Sequence, residues 1–200
     1  DSSGQKNFST KEMLKTKEFY GLWICYTIGT FAGLMAIGIT SPFAQEIIKL
    51  NSDVAAIFVS VFSIFNGIGR PIFGFLADKL KAFKVILILF IIIIISSLTG
   101  LLLKENRVIL FFMTFALFWL ILGGWLATAP AITSTIFGLK NYVSNYGVVY
   151  TAYGFGAVIG TLISGGIKDI FGSYSHVFYP TMILSVAGII TNFLTLRKQS

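Results

Sequence analysis

The sequence has little charge for its length. Only 12% of its 200 residues are Asp, Glu, Lys or Arg, whereas 56% are hydrophobic. A soluble domain carries about 25% charged residues, so this composition excludes an ordinary soluble protein and indicates an integral membrane protein. The net charge of +7 does not indicate a nucleic-acid partner, because the basic residues cluster in short connections between apolar stretches.

Cysteine and histidine are equally scarce, with one of each. Cys25 lies in an apolar run, which excludes a disulfide framework. An intramembrane enzyme would need paired aspartates, a Ser–His couple or clustered metal ligands within its spans. His176 instead lies at the start of the last apolar stretch, and Asp53, Asp78 and Asp169 fall at the ends of stretches. The sequence therefore predicts neither an enzyme nor a cofactor site.

Long apolar stretches are what the sequence does have. Each of six meets the requirement of about 17–25 residues for crossing a bilayer, and in lipid such segments must be helical. They cover residues 20–40, 54–76, 84–103, 108–129, 143–167 and 175–196. We predict an all-α integral membrane protein with six transmembrane helices, in which Pro42 and Pro130 end their spans. The third span, with mostly branched apolar side chains, is expected to face lipid, and the glycine-rich fifth to pack closely.

The basic residues predict an orientation. Ten Lys and Arg residues lie in connections and tails on one side of the predicted spans, and four lie on the other. Because cytoplasmic loops carry the excess of Lys and Arg, both ends of this chain are expected in the cytoplasm. The sequence begins with Asp1 and shows no signal peptide, so we expect it to be part of a longer protein.

The remaining basic residue, Arg70, lies inside the second span. Arginine at the bilayer centre costs about 2.5–3.5 kcal/mol on insertion scales, so its presence indicates a water-filled path or an anionic partner. Arg70 is eight residues before Asp78, about 12 Å along a helix, which places it near mid-membrane. Asn66 lies one turn earlier on the same face and is a second candidate for substrate binding. The alternatives are an arginine that reaches a carbonyl or the interface, and an asparagine that joins two helices.

Aromatic side chains supply further candidates for the substrate site. Tyr146, Tyr150 and Tyr153 follow i, i+4, i+7 spacing, so they share one face of the fifth span. A tyrosine in mid-membrane needs a partner for its hydroxyl, which makes Tyr153 and Tyr150 candidate ligands. Trp119 shares a face of the fourth span with Leu122 and Leu126 and is expected to form an apolar wall. Packing is the alternative for each of these rings.

The second span ends in a motif. The run Gly74-Phe75-Leu76-Ala77-Asp78-Lys79, followed by Lys81 and Lys84, resembles the loop signature of the major facilitator superfamily. In that family the matching Asp helps to hold the cytoplasmic side closed, so the resemblance implies that Asp78 and Lys79 belong to a gate. Lys81 stands where the family usually has glycine, which puts the tightness of the loop in doubt. A solvated loop charge is the alternative for Asp78.

Other segments resemble one branch of that superfamily, the transporters similar to oxalate/formate antiporters. The resemblance covers nearly the whole chain and rests on these runs: Ser9 to Thr16, Phe19 to Trp23, Asn66 to Pro71, Gly123-Gly124, Pro130 to Thr133, Phe137-Gly138, Asn145 to Gly147, Tyr150 to Gly154 and Asp169 to Tyr174. It implies the C-terminal half of a twelve-helix carrier that works by alternating access. Residues 1–18 would then be the linker between the halves, and residues 19–200 would be helices 7 to 12.

The same resemblance implies partners and a substrate class. The partners would be a small organic anion, the lipid bilayer of the cell membrane and an N-terminal six-helix half that is missing from this sequence. Oxalate/formate exchangers have lysine where this chain has Tyr153, so a single cation is expected here. One arginine suits a monocarboxylate such as lactate or pyruvate. An oxalate/formate-type exchanger, and a channel or non-transporting sensor on the same fold, are the alternatives.

Overall fold

A computed structural model describes residues 7–197, and in that part of the chain nearly every residue is helical. The predicted linker and bundle also include residues 1–6 and 198–200, which lie outside the described residues. In chain order the helices are α1 (Thr10–Met13), α2 (Lys17–Glu46), α3 (Ser52–Lys79), α4 (Ala82–Leu101), α5 (Val108–Phe137), α6 (Tyr142–Phe171), a 3₁₀ turn (Tyr174–Val177) and α7 (Phe178–Thr195). Helices α2 to α7, with the 3₁₀ turn preceding α7, are long and apolar enough to cross a membrane. The six predicted spans are confirmed.

Two predicted span ends are wrong. Pro42 lies inside α2, which continues to Glu46, and Pro130 lies inside α5, which continues to Phe137. Proline removes one backbone N–H from a helix. In the membrane, ending the helix at the proline would leave further backbone N–H and C=O groups without water to bond to. Continuing the helix beyond the proline therefore costs less free energy than ending it there.

Short connections separate the long helices and have recognisable end signals. Asn51 caps α3 by accepting a hydrogen bond from the Val54 N–H at 2.9 Å. Gly138 and Gly172 end α5 and α6 with φ of +83° and +68°, values that favour glycine. The chain therefore runs up and down six times. Residues 7–16, the turns at 80–81 and 138–141, and Arg197 lie at one end of the bundle, here called the termini side; the other end is the far side.

Packing makes α2 and α5 the central helices, because their side chains are mostly buried whereas those of α3 and α6 are mostly exposed. Helix α6 lies beside α2, α3 beside α5, and α4 beside α7. Glycines allow the closest of these contacts. A Cβ at Gly69 would lie 2.1 Å from the Leu120 carbonyl oxygen, and one at Gly123 would lie 2.0 Å from the Asn66 carbonyl oxygen, so α3 and α5 meet backbone to backbone.

Aromatic rings complete the contact between α3 and α5 on the far side. Phe58 lies edge-on to Phe111 at 5.4 Å between ring centroids, and Phe62 lies edge-on to the same ring at 5.8 Å. Phe115 contacts Phe111 at 4.7 Å. These rings, three of which are fully buried, fix the far-side turns of α3 and so the direction in which its remaining side chains point.

Only one side of α4 is exposed, so the expectation that the third span faces lipid is limited to that side. Ile91 and Ile95 are exposed on the outer surface. On the other side Phe90 is fully buried, in edge-on contact with Trp125 of α5, and its ring closely approaches Gly188 of α7. Branched apolar residues suit lipid and helix contacts alike, so composition did not separate the two sides.

Candidate functional site: an arginine on a polar face

The exposed sides of α3 and α6 form one surface of the bundle, here called the open face. It carries polar groups well inside the spans, among them Arg70 and Ser63 of α3 and Tyr150 and Thr151 of α6. The exposed sides of α3 and α6 also carry large apolar side chains such as Ile64 and Leu162, whereas the outer surface of α4 and α7 presents mainly apolar ones, such as Ile95 and Ile190. Lipid tails offer polar groups no partner, so the polar part of the open face suits water or protein and the α4–α7 surface suits lipid.

Arg70 points outward because of the residue before it. Gly69 is buried against the Leu120 carbonyl of α5, and each step along a helix turns the side chain by about 100°. The Arg70 side chain is exposed, and among the described residues it forms neither an ion pair nor a hydrogen bond. The guanidinium is thereby presented to the open face.

Four tyrosines of α6 form a continuous row of ring contacts. Tyr142 and Tyr146 stack at 5.8 Å between centroids, Tyr146 and Tyr150 lie tilted at 5.7 Å, and Tyr150 and Tyr153 stack at 5.3 Å. The predicted shared face is confirmed. Tyr153 is eleven residues from the termini-side start of α6 and Arg70 is nine residues from the termini-side end of α3, so the tyrosine row reaches the depth of the arginine.

The structure gives Asn66 and Trp119 other contacts. The Asn66 amide donates to the Trp119 carbonyl at 3.3 Å, so it joins α3 to α5. Trp119 is only 6% exposed, and its indole N–H donates to the Thr40 hydroxyl at 3.1 Å. Leu122 is buried as well. Trp119 therefore packs in the interior of the bundle and does not share the open face with Arg70.

One residue of this region was missed by the sequence reasoning. Tyr26 of α2 is fully buried behind the tyrosine row, with its ring stacked on Trp125 at 5.9 Å. Its hydroxyl has no hydrogen-bond partner among the described residues. A phenol in the middle of an apolar span needs a partner, and that signal was available in the sequence.

Asp78 and Lys79 lie at the termini side, where α3 ends. They line an open groove of about 490 Å³ between the ends of α3 and α5, together with Lys81 and Ile132. Asp78 is exposed and forms no ion pair within residues 7–197. The Lys79 ammonium lies over the Phe75 ring, 5.5 Å from its centroid.

On the far side, an ion pair connects α2 and α6. Lys168 bonds to Glu46, and its ammonium also lies 5.0 Å from the centroid of the Tyr174 ring. Asp53 and Asp169 are exposed near this end. Within the described part of the chain, no three His, Cys, Asp or Glu side chains come together in a way that could hold a metal ion.

Comparison with known proteins gives this bundle a family. Residues 22–200 match the family model described as Major Facilitator Superfamily. The chain belongs to the Major Facilitator Superfamily. The predicted family and the all-α fold are thereby confirmed, and the six helices are part of a larger facilitator fold.

Several facilitator relatives are known. The chain is 31% identical over 154 residues to "Uncharacterized MFS-type transporter YhjX" of Escherichia coli, covering 77% of the chain and 38% of the relative. It is 29% identical over 180 residues to the oxalate:formate antiporter of Oxalobacter formigenes, covering 90% and 43%. It is 25% identical over 173 residues to monocarboxylate transporter 9 of Rattus norvegicus, covering 85% and 33%. The chain thus spans less than half the length of each.

Proposed function

We propose that this chain is half of a secondary carrier for small organic anions, and that Arg70 binds the carboxylate of the substrate. The observation that carries the proposal is an exposed arginine on a polar face, well inside a membrane-spanning helix and without a described carboxylate partner. The planar guanidinium offers a carboxylate two parallel N–H donors. Relatives named for an oxalate:formate antiporter and for monocarboxylate transporters support the same substrate class.

A second six-helix half is the proposed cover of the open face. Its support is the polarity of that face and the chain's coverage of 38% and 43% of two relatives. Substrate would then bind between the halves and be released by alternating access. Residues 1–18 would join the halves. The carrier would lie in the cell membrane, with both ends of this chain in the cytoplasm. Asp78 and Lys79, exposed at the termini side, would pair with the other half when that side closes.

A monocarboxylate such as lactate or pyruvate is the proposed substrate. Away from the helix ends, Arg70 is the one basic side chain of the described residues, since Lys168 lies near the far end of α6 and bonds to Glu46. One cation balances one carboxylate. Tyr153, at a depth similar to that of Arg70, and its exposed neighbour Tyr150 would donate hydroxyl hydrogen bonds to the substrate.

An oxalate/formate-type exchanger is the second candidate. It is favoured by one observation, the match to the oxalate:formate antiporter over 90% of the chain. In this mechanism the second carboxylate of oxalate would need a cation from the other half.

Uptake into proteoliposomes tests the proposal. The complete carrier is reconstituted, and saturable uptake of labelled lactate, pyruvate and oxalate is measured. We expect uptake of a monocarboxylate, its loss in Arg70→Ala and its partial retention in Arg70→Lys. Arg107→Ala is the matched control, because it removes an exposed arginine at the start of α5 without touching the open face.

Three results would contradict the proposal in distinguishable ways. Undiminished uptake in a folded Arg70→Ala carrier removes the role of the arginine. Uptake of oxalate without lactate or pyruvate selects the exchanger. Ligand binding, seen as a raised melting temperature, with no uptake of any of the three would indicate a sensor.

A further inference from the structure

The segment before the first long helix, residues 7–16, is docked across the termini-side ends of α5 and α6. The Phe8 N–H donates to the Phe137 carbonyl at 2.9 Å, and the two rings meet edge-on at 5.8 Å. The Lys140 N–H donates to the Asn7 side chain at 3.1 Å. This N-terminal segment is therefore attached to the turn between α5 and α6 by both main chain and side chain.

Asn145 of α6 is the residue through which the segment holds α6 itself. It is fully buried, its amide N–H donates to the Phe8 carbonyl at 3.0 Å, and its amide oxygen accepts from the Thr10 hydroxyl at 2.9 Å. Asn141 donates to the same Phe8 carbonyl at 3.0 Å, but it is the N-cap residue of α6 and is only partly buried.

The N-terminal segment is held in one conformation by local hydrogen bonds, so it can keep α6 in a defined position. Ser9 and Glu12 form a capping box at the start of α1, with the Ser9 hydroxyl 2.7 Å and the Ser9 N–H 2.8 Å from the Glu12 carboxylate. These two hydrogen bonds from Ser9 lower the pKa of Glu12 from its ordinary value. Met13 is fully buried against the bundle.

On the buried side of α6, Asn145 is the one side chain of the described residues that hydrogen-bonds to another segment. After Asn145 this side consists of small or short side chains: Val149, Ala152, Gly156, Gly160 and Ser164. A Cβ at Gly156 would lie 2.2 Å from the Thr30 hydroxyl, so α6 approaches α2 closely. The close approach at Gly156 and the Lys168–Glu46 ion pair hold α6 further along its length, so Asn145 is the buried polar contact of its termini-side turns, where the tyrosine row lies.

The rotation of α6 decides where the tyrosine row points. Tyr146 directly follows Asn145, Tyr150 follows Val149, and Tyr153 follows Ala152. The tyrosine row therefore lies one residue, about 100°, around the helix from the buried side. Helix α2 also contacts α6 through the Trp23 indole N–H, which donates to the hydroxyl of the exposed Thr151 at 2.9 Å.

We propose that Asn145 is a positioning residue for substrate binding: through Thr10 and the Phe8 carbonyl, the docked N-terminal segment fixes the rotation of α6 and so holds Tyr150 and Tyr153 towards Arg70. The proposal rests on the proposed function for its effect on transport. Its geometric part, the fixed rotation of α6, is measurable without substrate.

Uptake kinetics of the complete carrier test the effect on transport. We expect Asn145→Ala to raise KM about fivefold with little change in the maximal rate, the change that corresponds to about 1 kcal/mol for a lost hydrogen bond. Asn141→Ala is the matched control, since it removes a hydrogen bond to the same carbonyl, and its KM should stay unchanged. Thr10→Val should raise KM by less, because it removes only one of the two hydrogen bonds of Asn145. Adding Thr10→Val to Asn145→Ala should raise KM little further, because Asn145→Ala already removes that bond. Equal KM changes in Asn145→Ala and Asn141→Ala, or a lowered maximal rate alone, would overturn the proposal.

Thiol labelling tests the rotation separately. Tyr150→Cys places a thiol at an exposed position of the tyrosine row, whereas the native Cys25 is buried. The labelling rate with a water-soluble maleimide is measured, and the rate of the carrier without Tyr150→Cys is subtracted. We expect the corrected rate to change severalfold when Asn145→Ala is added and to stay unchanged when Asn141→Ala is added. Should Asn145→Ala not fold, Thr10→Val replaces it. Unchanged labelling overturns the proposal, whereas changed labelling in a carrier that takes up no organic anion would leave the rotation standing and remove the proposed function.

Discussion

The contact between α3 and α5 offers the sharpest single perturbation, Gly69→Ala. A Cβ at this position would lie 2.1 Å from the Leu120 carbonyl oxygen, against at least 3.4 Å for ordinary contact, so the two backbones must separate by about 1.3 Å. Neither partner is a flexible side chain that can turn away. A gap of 0.5–1 Å already removes about a quarter to a half of the dispersion energy of the atoms facing it.

We expect Gly69→Ala to lower the free energy of unfolding by about 1–3 kcal/mol, the usual cost of overpacking. The gain in helix propensity, up to about 1 kcal/mol, offsets part of this cost. Gly74→Ala is the matched control on the same helix, because its Cβ would meet only the Ala127 side chain at an ordinary 3.8 Å. The control should therefore be neutral or stabilising.

Denaturant or thermal unfolding of the complete carrier in detergent measures both variants. A carrier with Gly69→Ala that is as stable as one with Gly74→Ala would refute the backbone contact. Arg70 follows Gly69 directly, so separation of the helices also moves the guanidinium, and we expect a raised KM for the substrate in Gly69→Ala. Gly123→Ala opens the same gap from the other side, at 2.0 Å from the Asn66 carbonyl oxygen, so the two costs should not add in the double variant.

Two further outcomes follow from buried side chains. Trp119→Phe should lower the free energy of unfolding by about 1 kcal/mol, because the hydrogen bond to Thr40 is lost, and should leave KM unchanged; a raised KM with unchanged stability would instead support a substrate contact. Cys25 is fully buried, with its thiol 3.5 Å from the Gly188 carbonyl oxygen, so it should react with maleimides only as the carrier unfolds. Rapid labelling of Cys25 in the folded carrier would contradict the packing of α2 against α7.

Several features of the fold and site were predictable because they depend on local chemistry. The spans follow from hydropathy, since a backbone in lipid must be helical whatever its neighbours. The exposure of Arg70 follows from the cost of its charge, and the shared face of Tyr146, Tyr150 and Tyr153 follows from helical spacing. Their roles in binding stay predictions, as do those of Asp78 and Lys79.

Other features depend on contacts between distant parts of the chain. Asn66 and Trp119 meet across two helices, and the indole of Trp119 turns inward to Thr40. Tyr26 is placed behind the tyrosine row by the packing of α2 against α6. In a soluble protein, the spacing of polar residues along a helix shows which side of the helix faces water and which is buried. Membrane helices are apolar on nearly every side, so this pattern indicates the buried side only weakly.

The sequence by itself determined that this chain crosses a membrane six times, that it is a facilitator and that Arg70 is the basic residue placed inside a span. Those conclusions require only composition, spacing and motif. Tertiary structure alone decided the rotation of each helix, the passage of α2 and α5 beyond their prolines and the docking of residues 7–16 on Asn145. The physical reason is that these depend on close backbone approach and buried hydrogen bonds between segments far apart in the chain, which apolar stretches do not encode locally.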